Sequence, residues 1–331
     1  MNDIKSIGII GSGKMGSDIF NYLSDFNFEL IWYTIEDIAM LQKTFHKKIN
    51  RQLKHGIISK EIFDFKFKYK ITDKFQALSN CDLVIESVIE ELDVKVEIFR
   101  RLDEIVKPSC ILVSNSSSIL PSELSESVQR KNRVLGMHFF YPIAFKNIVE
   151  VISSEYTDEI SIEKTKLFLD DINRYYFQQN EDCAFILNRF LLQLQIIALE
   201  LKKEFDLGYQ QFDDIAKELI PDFGLFEIMD HVGHNTMYNA IMNYSRMDKD
   251  KKKYEAILIE LRKFTVSEEN TTHLFYELET EQKIISVLTK LEIIEKLKET
   301  ANKYLSYYTE QSQSNIFNLK KGLEEFCGIK L

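Results

Sequence analysis

Glycine and proline are both scarce in this 331-residue chain, at 11 and 4 residues, which argues against long irregular loops and favours regular helices and strands. Cysteine is scarce as well. Cys81, Cys110, Cys183 and Cys327 lie far apart, with no C-x-x-C pair and no histidine at ligand spacing, so neither a metal site nor a disulfide framework is expected. Positive charge is in deficit: a net charge of −10 argues against a general nucleic-acid surface, because phosphate binding needs a positive field. Long hydrophobic runs are missing too. The most apolar stretch, Phe190 to Leu199, is too short to span a bilayer and is interrupted by Gln193 and Gln195, so no membrane association is expected. Met1 to Lys5 leads directly into a structural strand without the pattern of a signal peptide, and a reducing cytoplasm is the simplest compartment.

What is present is enough apolar sequence, 45% of residues, for two domains that each bury a core. Short apolar runs alternate with helical patterns through roughly the first 180 residues. Ser6–Gly11, Glu29–Thr34, Asp82–Ser87, Ile111–Asn115, Val134–Phe140 and Ile148–Ser153 read as strands, most of them buried on both faces. Such a succession predicts an α/β, Rossmann-like doubly wound sheet. From about Ala184 the periodicity is helical, beginning with a helix over Asn188–Leu207 that stops at Gly208. The expected division is a dinucleotide-binding domain over 1–182 and an all-α substrate and dimerisation domain over 183–331. The charge run Asp248–Lys253 is expected to be a solvated loop or helix start. Ile284, Ile285, Val287, Leu288 and Leu291 form an apolar pattern compatible with a dimer surface or with core.

The sharpest local signal is Gly11-Ser-Gly-Lys-Met-Gly16, directly after the apolar run Ile7–Ile10 and directly before a helical pattern. The first glycine permits a tight turn, the second lets backbone approach a pyrophosphate, and the third allows the helix to pack closely on the strand. Strand, loop and helix in that order are the context a dinucleotide site requires, with Gly11, Gly13, Met15 and Gly16 at the cofactor. The second strand ends in Thr34 where an acidic residue would grip the adenosine ribose. Glu36 and Asp37 follow it, and no arginine stands nearby to favour a 2′-phosphate. NAD is therefore expected, with NADP not excluded.

Three further segments carry chemistry: Ser114-Asn-Ser-Ser-Ser118, Gly136-Met-His-Phe-Phe-Tyr-Pro142 and Asn147-Ile-Val-Glu-Val151. With the glycine loop and Phe185-Ile-Leu-Asn-Arg189, they resemble in order and spacing the 3-hydroxyacyl-CoA dehydrogenase family, over roughly residues 1–240. These five motifs fall in register, and Val84–Glu91 with Lys95 following fits the same pattern. The resemblance implies an NAD-linked oxidoreductase that interconverts 3-hydroxyacyl and 3-oxoacyl thioesters. It also implies cofactor contacts at Glu90, Lys95 and Tyr141.

The residues suit that chemistry. Oxidising a secondary alcohol requires a base for the hydroxyl proton as hydride leaves, and His138 is the candidate. Glu150, twelve positions on and past a turn through Pro142, is placed by a hairpin-like return to hold the imidazole tautomer. Ser117, at a strand's carboxyl edge, is expected to touch both cofactor and substrate oxygen, and Asn188 to orient the same oxygen. Each has a plainer reading as a turn serine, a core histidine or a helix cap. Their joint register is what favours the functional one.

The chain departs from the family where Tyr141 replaces an asparagine, where Cys183-Ala-Phe185 replaces Pro-Gly-Phe, and where Gly224-Leu-Phe226 replaces Gly-Pro-Phe. The last ~90 residues show no match. Lys43, His46, Lys47, Lys48, Arg51, Lys54 and His55 crowd a helical stretch in an otherwise acidic chain, in the region where the family binds coenzyme A, although a basic residue usual there aligns with Ile57. This stretch fits the phosphates of coenzyme A, an acidic acyl-carrier protein, or simply a solvated face. The substrate alternatives are thus an acyl-CoA, a carrier-bound intermediate, or a free 3-hydroxy acid or carnitine-like alcohol. A non-catalytic cofactor-binding protein is the alternative of another class. A homodimer is the expected assembly.

Overall fold

A computed structural model describes residues 4–248, 250–265, 274–278, 283–312 and 315–331. The chain divides into two compact units, the first ending at Glu181 and the second beginning at Asp182.

The first unit runs β1 (Ser6–Ile10), α1 (Lys14–Leu23), β2 (Glu29–Tyr33), α2 (Ile38–Lys54), α3 (Lys60–Lys66), β3 (Lys70–Thr72), β4 (Leu83–Glu86), α4 (Leu92–Ile105), β5 (Ile111–Ser114), α5 (Pro121–Ser125), β6 (Val134–Phe139), β7 (Ile148–Ser153), α6 (Glu159–Asp171) and β8 (Tyr175–Asn180). The strands form one sheet in the order β3-β2-β1-β4-β5-β6-β7-β8. β3 to β6 are parallel neighbours throughout. β7 then pairs antiparallel with β6, and β8 parallel with β7. Strand order reverses direction between β1 and β4, the point at which sheets of this kind open a crevice at their carboxyl edge.

Apolar residues alternate between two cores, which is why the strands read as continuous hydrophobic runs. Ile7, Ile9, Leu83, Ile85, Ile111 and Val113 pack with α1, α2 and α6 residues such as Phe20, Phe45 and Phe168. Ile10, Val84 and Leu112 face the opposite way, onto Phe99 and Leu102 of α4 and Leu124 of α5. Two strands escape the sequence reading. β3 is only three residues long, and β8 (YYFQQN), at the sheet edge, ends in the consecutive polar residues Gln178, Gln179 and Asn180 instead of an apolar run.

The second unit is helical: α7 (Ile186–Glu204), α8 (Tyr209–Ala216), α9 (Leu225–Val232), α10 (His234–Met247), α11 (Glu255–Thr265), α12 (Val287–Ser312) and α13 (Ile316–Cys327). α7 starts two residues earlier and ends three residues earlier than expected. Asp206, at φ 50°, is the left-handed residue after the helix, and Gly208 is instead the N-cap of α8. The span Glu181–Glu204 is also longer and more apolar than the sequence reading allowed. It could cross a membrane by length and composition alone, but 83% of its apolar window is buried, as in a core helix.

One further expectation changes, and one pair of alternatives narrows. Asp248 is not a solvated charge, since its carboxylate accepts from Lys253 Nζ at 2.5 Å and from the Tyr254 hydroxyl at 3.0 Å. Ile284, Val287, Leu288 and Leu291 are exposed rather than core.

Candidate active site

The glycine loop leaves β1 at the switch point. Gly11, at φ 105°, donates its N–H to Tyr33 O at 3.1 Å, and the Trp32 indole N–H donates to Gly11 O at 2.7 Å. A Cβ at Gly11 would lie 2.3 Å from Ser87 O, and one at Gly16 would lie 2.3 Å from Gly11 O. These two glycines are required by the fold. Gly13 is different: a Cβ there meets nothing within 4 Å. Nothing among the described residues explains its glycine, whereas the close approach of a phosphate to the N-terminus of α1 does. The Met15 side chain packs on the core, so any contact it makes with a cofactor is through its backbone. The loop thus fits a dinucleotide.

Thr34 is buried and shares a 2.7 Å hydrogen bond with Ser12, while its Oγ1 accepts from the Glu36 amide at 3.0 Å. Its hydroxyl therefore ties the end of β2 to the glycine loop. Asp37 caps α2 by accepting from the Met40 amide at 3.0 Å, and Glu36 stands exposed at the same strand end. The sequence signal for Asp37's job was present, as an acid directly before a helical pattern.

The next two strand ends are knitted together by carboxylates. Glu86, fully buried at the end of β4, accepts from Lys95 Nζ at 2.7 Å, the Val88 amide at 2.7 Å and Ser114 Oγ at 2.6 Å. Glu90 accepts from Ser116 Oγ at 2.5 Å, Ser118 Oγ at 2.8 Å, and the amides of Ser117 at 3.1 Å and Ser118 at 3.0 Å. Burial works to raise the Glu90 carboxyl, but the Lys95 ammonium 3.4 Å away and the two serine hydroxyls outweigh it and hold the group below the usual carboxylate range. Lys95, expected at the cofactor, is 1% exposed and clasped by both carboxylates, so it acts on the site by fixing the 87–91 turn. Of the serines in the 114–118 run, Ser117 is the one not fully buried. Glu86, Ser116 and Ser118 were not singled out from sequence, because their roles come from partners on neighbouring strands.

His138 sits one residue before the end of β6, in register opposite Glu150 on β7. Its Nδ1 lies 2.8 Å from Glu150 Oε2, and both side chains are buried. A carboxylate at Nδ1 selects the tautomer with the proton there and the lone pair on Nε2, and it stabilises the imidazolium once a proton is taken up. Phe140 packs against the ring at 4.4 Å between centroids. Asn115 Oδ1 accepts from the Phe139 amide at 2.9 Å and so locks the end of β6 to the serine loop. Tyr141, next along, is 46% exposed. Asn188 belongs to the second unit, in the first turn of α7, where its Nδ2 donates to the Tyr244 hydroxyl at 3.4 Å.

The basic stretch forms most of α2. Thr44, Lys47, Lys48, Arg51, Gln52 and Ile57 line an open surface groove of about 460 Å³. Two of its basic residues serve the fold instead: Lys48 Nζ donates to Asn21 Oδ1 at 3.0 Å, and His46 stacks on Phe67 at 4.2 Å. Burial pushes the Lys48 ammonium below its ordinary range. Among the described residues no group of three or more His, Cys, Asp or Glu side chains is placed to hold a metal.

A family model described as 3-hydroxyacyl-CoA dehydrogenase, NAD binding domain, matches residues 6–182. The chain is 29% identical over 238 residues to a 3-hydroxybutyryl-CoA dehydrogenase of Bradyrhizobium diazoefficiens, covering 70% of this chain and 81% of that one. Its fold is similar to that of the (S)-3-hydroxybutyryl-CoA dehydrogenase of Ralstonia eutropha, with TM-score 0.71 and 24% identity over 80% of this chain and 94% of that one. A diketoreductase acting on dicarbonyl compounds is also similar, with TM-score 0.64 and 27% identity over 78% of this chain and 93% of that one.

Proposed function

Taking as premise that this chain belongs to the 3-hydroxyacyl-CoA dehydrogenase family, we propose that it interconverts a 3-hydroxyacyl thioester and its 3-oxoacyl counterpart with NAD, and that His138 exchanges the proton. The observation that carries this reading is the buried His138–Glu150 pair at the end of β6, beside the serine loop. In the oxidative direction the secondary alcohol gives up a hydride from carbon and a proton from oxygen. Bound NAD would supply the hydride acceptor. The proton goes to His138 Nε2, and Glu150 stabilises the resulting imidazolium in a site where little water competes. In reduction the same nitrogen returns the proton to the forming alkoxide. Ser117 binds the reacting oxygen from the edge of β5, and Asn188 is a substrate-oxygen ligand on the strength of its motif alone. The backbone around Gly13 holds the diphosphate. Glu90, Lys95, Thr34 and Tyr141 complete the cofactor's surroundings.

The substrate in this reading is an acyl-CoA. Lys47 and Arg51 on the α2 groove support an anionic carrier, and an acyl-carrier protein is the variant of the same idea. A free hydroxy acid or dicarbonyl substrate is the second reading. It is favoured by Ile57, exposed where a basic residue is usual, and by the likeness to a diketoreductase. The assembly is a homodimer through the exposed apolar start of α12, and the compartment is the cytoplasm.

The test is a panel of acetoacetyl-CoA, acetoacetyl-carrier protein and free acetoacetate, following consumption of NADH and NADPH. NADH oxidation with the CoA ester is expected to be fastest. His138→Gln should lower kcat by about 10²–10⁴-fold, the span that positioned proton transfer contributes. No consumption of reduced cofactor with any thioester, or an unchanged rate in the variant, sinks the proposal.

A further inference from the structure

Lys14 is the first residue of α1, and its charge has the wrong sign for that place. The helix macrodipole puts partial positive charge at the N-terminus and favours anions there. The first turn holds no acidic residue to compensate. Among the described residues no carboxylate pairs with Lys14, which is exposed. Its Nζ instead lies 4.0 Å from the centroid of the Tyr141 ring. Tyr141 is fixed from both sides. The Phe139 amide donates to Asn115, and the Ile143 amide donates to Asp18 Oδ2 of α1 at 2.8 Å, so the segment after β6 is pinned to the same helix. A lysine at an electrostatically unfavourable position, held by an aromatic ring one residue from the glycine with open space around it, needs an anion to make sense of it.

We propose that Lys14 gives the cofactor diphosphate a charged contact, and that the Tyr141 ring holds the ammonium ready for it. This rests on the NAD reading of the loop. The family position of Tyr141 is usually an asparagine, whose short amide offers no ring face. Lys14 and Tyr141 therefore act as a unit, with the aromatic ring replacing whatever positioning the asparagine provides.

Binding, not turnover, tests it. NADH is titrated by its fluorescence, and ADP-ribose, which carries the diphosphate without nicotinamide, and adenosine, which carries neither, are measured as competitors. Lys14→Gln should weaken NADH and ADP-ribose alike by about fivefold, leave adenosine unchanged and flatten the salt dependence, as expected for a partly exposed ion pair. Tyr141→Phe should bind ADP-ribose like wild type. Tyr141→Leu should bind it about twofold more weakly, and this loss should vanish in the Lys14→Gln background. Wild-type ADP-ribose affinity in Lys14→Gln overturns the diphosphate contact, and losses that multiply in the double variant overturn the holding role of Tyr141. Wild-type protein that binds no NADH at all overturns the cofactor reading itself, a different result from intact binding insensitive to Lys14.

Discussion

His138 and Glu150 are twelve residues apart in the chain and meet at 2.8 Å because β6 and β7 pair antiparallel with those two positions in register. Glu150→Gln keeps the side-chain volume and an acceptor oxygen but removes the charge that supports the imidazolium. We expect kcat for acetoacetyl-CoA reduction to fall by about 10²-fold or more with NADH affinity unchanged, measured by steady-state rates beside fluorescence titration. Equal kcat values would show that the carboxylate only packs. The pair was legible in the sequence since a strand, a proline turn and a strand bring residues of this spacing face to face. Glu86 was not. Its partners Lys95 and Ser114 come from α4 and β5, and no local pattern distinguishes a buried glutamate at a strand end from an exposed one. Thr34 illustrates the reverse: its departure from the acidic norm was plain, but its bond to Ser12 required the two loops to be placed side by side.

At the scale of elements, the informative case is the start of α9. Asp213 of α8 accepts from the amides of Phe226 at 3.0 Å and Glu227 at 2.9 Å and from the Tyr276 hydroxyl at 2.6 Å, capping one helix from another. Burial pushes its carboxyl up to about 6, against the lowering effect of Tyr276 and those amides. A folded value above the unfolded one, near 4, gives a stabilising contribution that is complete below about pH 4 and is lost as pH rises through about 6. The second unit should therefore gain stability between pH 7 and pH 5, by roughly 1 kcal/mol, with as much again on going down to pH 4 and below, and Asp213→Asn should flatten that gain in urea unfolding. A slope unchanged by the substitution would remove Asp213 as its source. Gly224→Ala tests the same packing sterically, because the new Cβ would lie 2.3 Å from Asp213 Oδ2 and 2.8 Å from its Cβ. A loss of about 1–3 kcal/mol is expected from the urea midpoint. The sequence showed a Gly-Leu-Phe in place of Gly-Pro-Phe here, without the carboxylate that makes the glycine necessary.

For the molecule as a whole, the homodimer proposal rests on the exposed apolar residues at the start of α12. Leu288 is 77% and Val287 72% exposed, together with Ile284 and Leu291, and adjacent large apolar side chains of this kind mark association surfaces more often than they stand alone in water. Light scattering should give the mass of two chains for the wild type and of one for Leu288→Glu, which places a charge on the shared face. A monomeric wild type would end the dimer reading without touching the fold.

The sequence by itself determined six of the eight strands of the first unit in their order, the glycine loop and the candidate base with its carboxylate. These signals are local: a turn, a cap or an apolar period is written in consecutive residues. Only the tertiary structure decided which carboxylates are clasped from neighbouring strands, why Gly13 differs from Gly11 and Gly16, where Lys14 rests its charge, and whether the apolar start of α12 is core or surface. The same helical periodicity serves a buried face and an exposed one, and residues distant in sequence meet only once strand order and register are set.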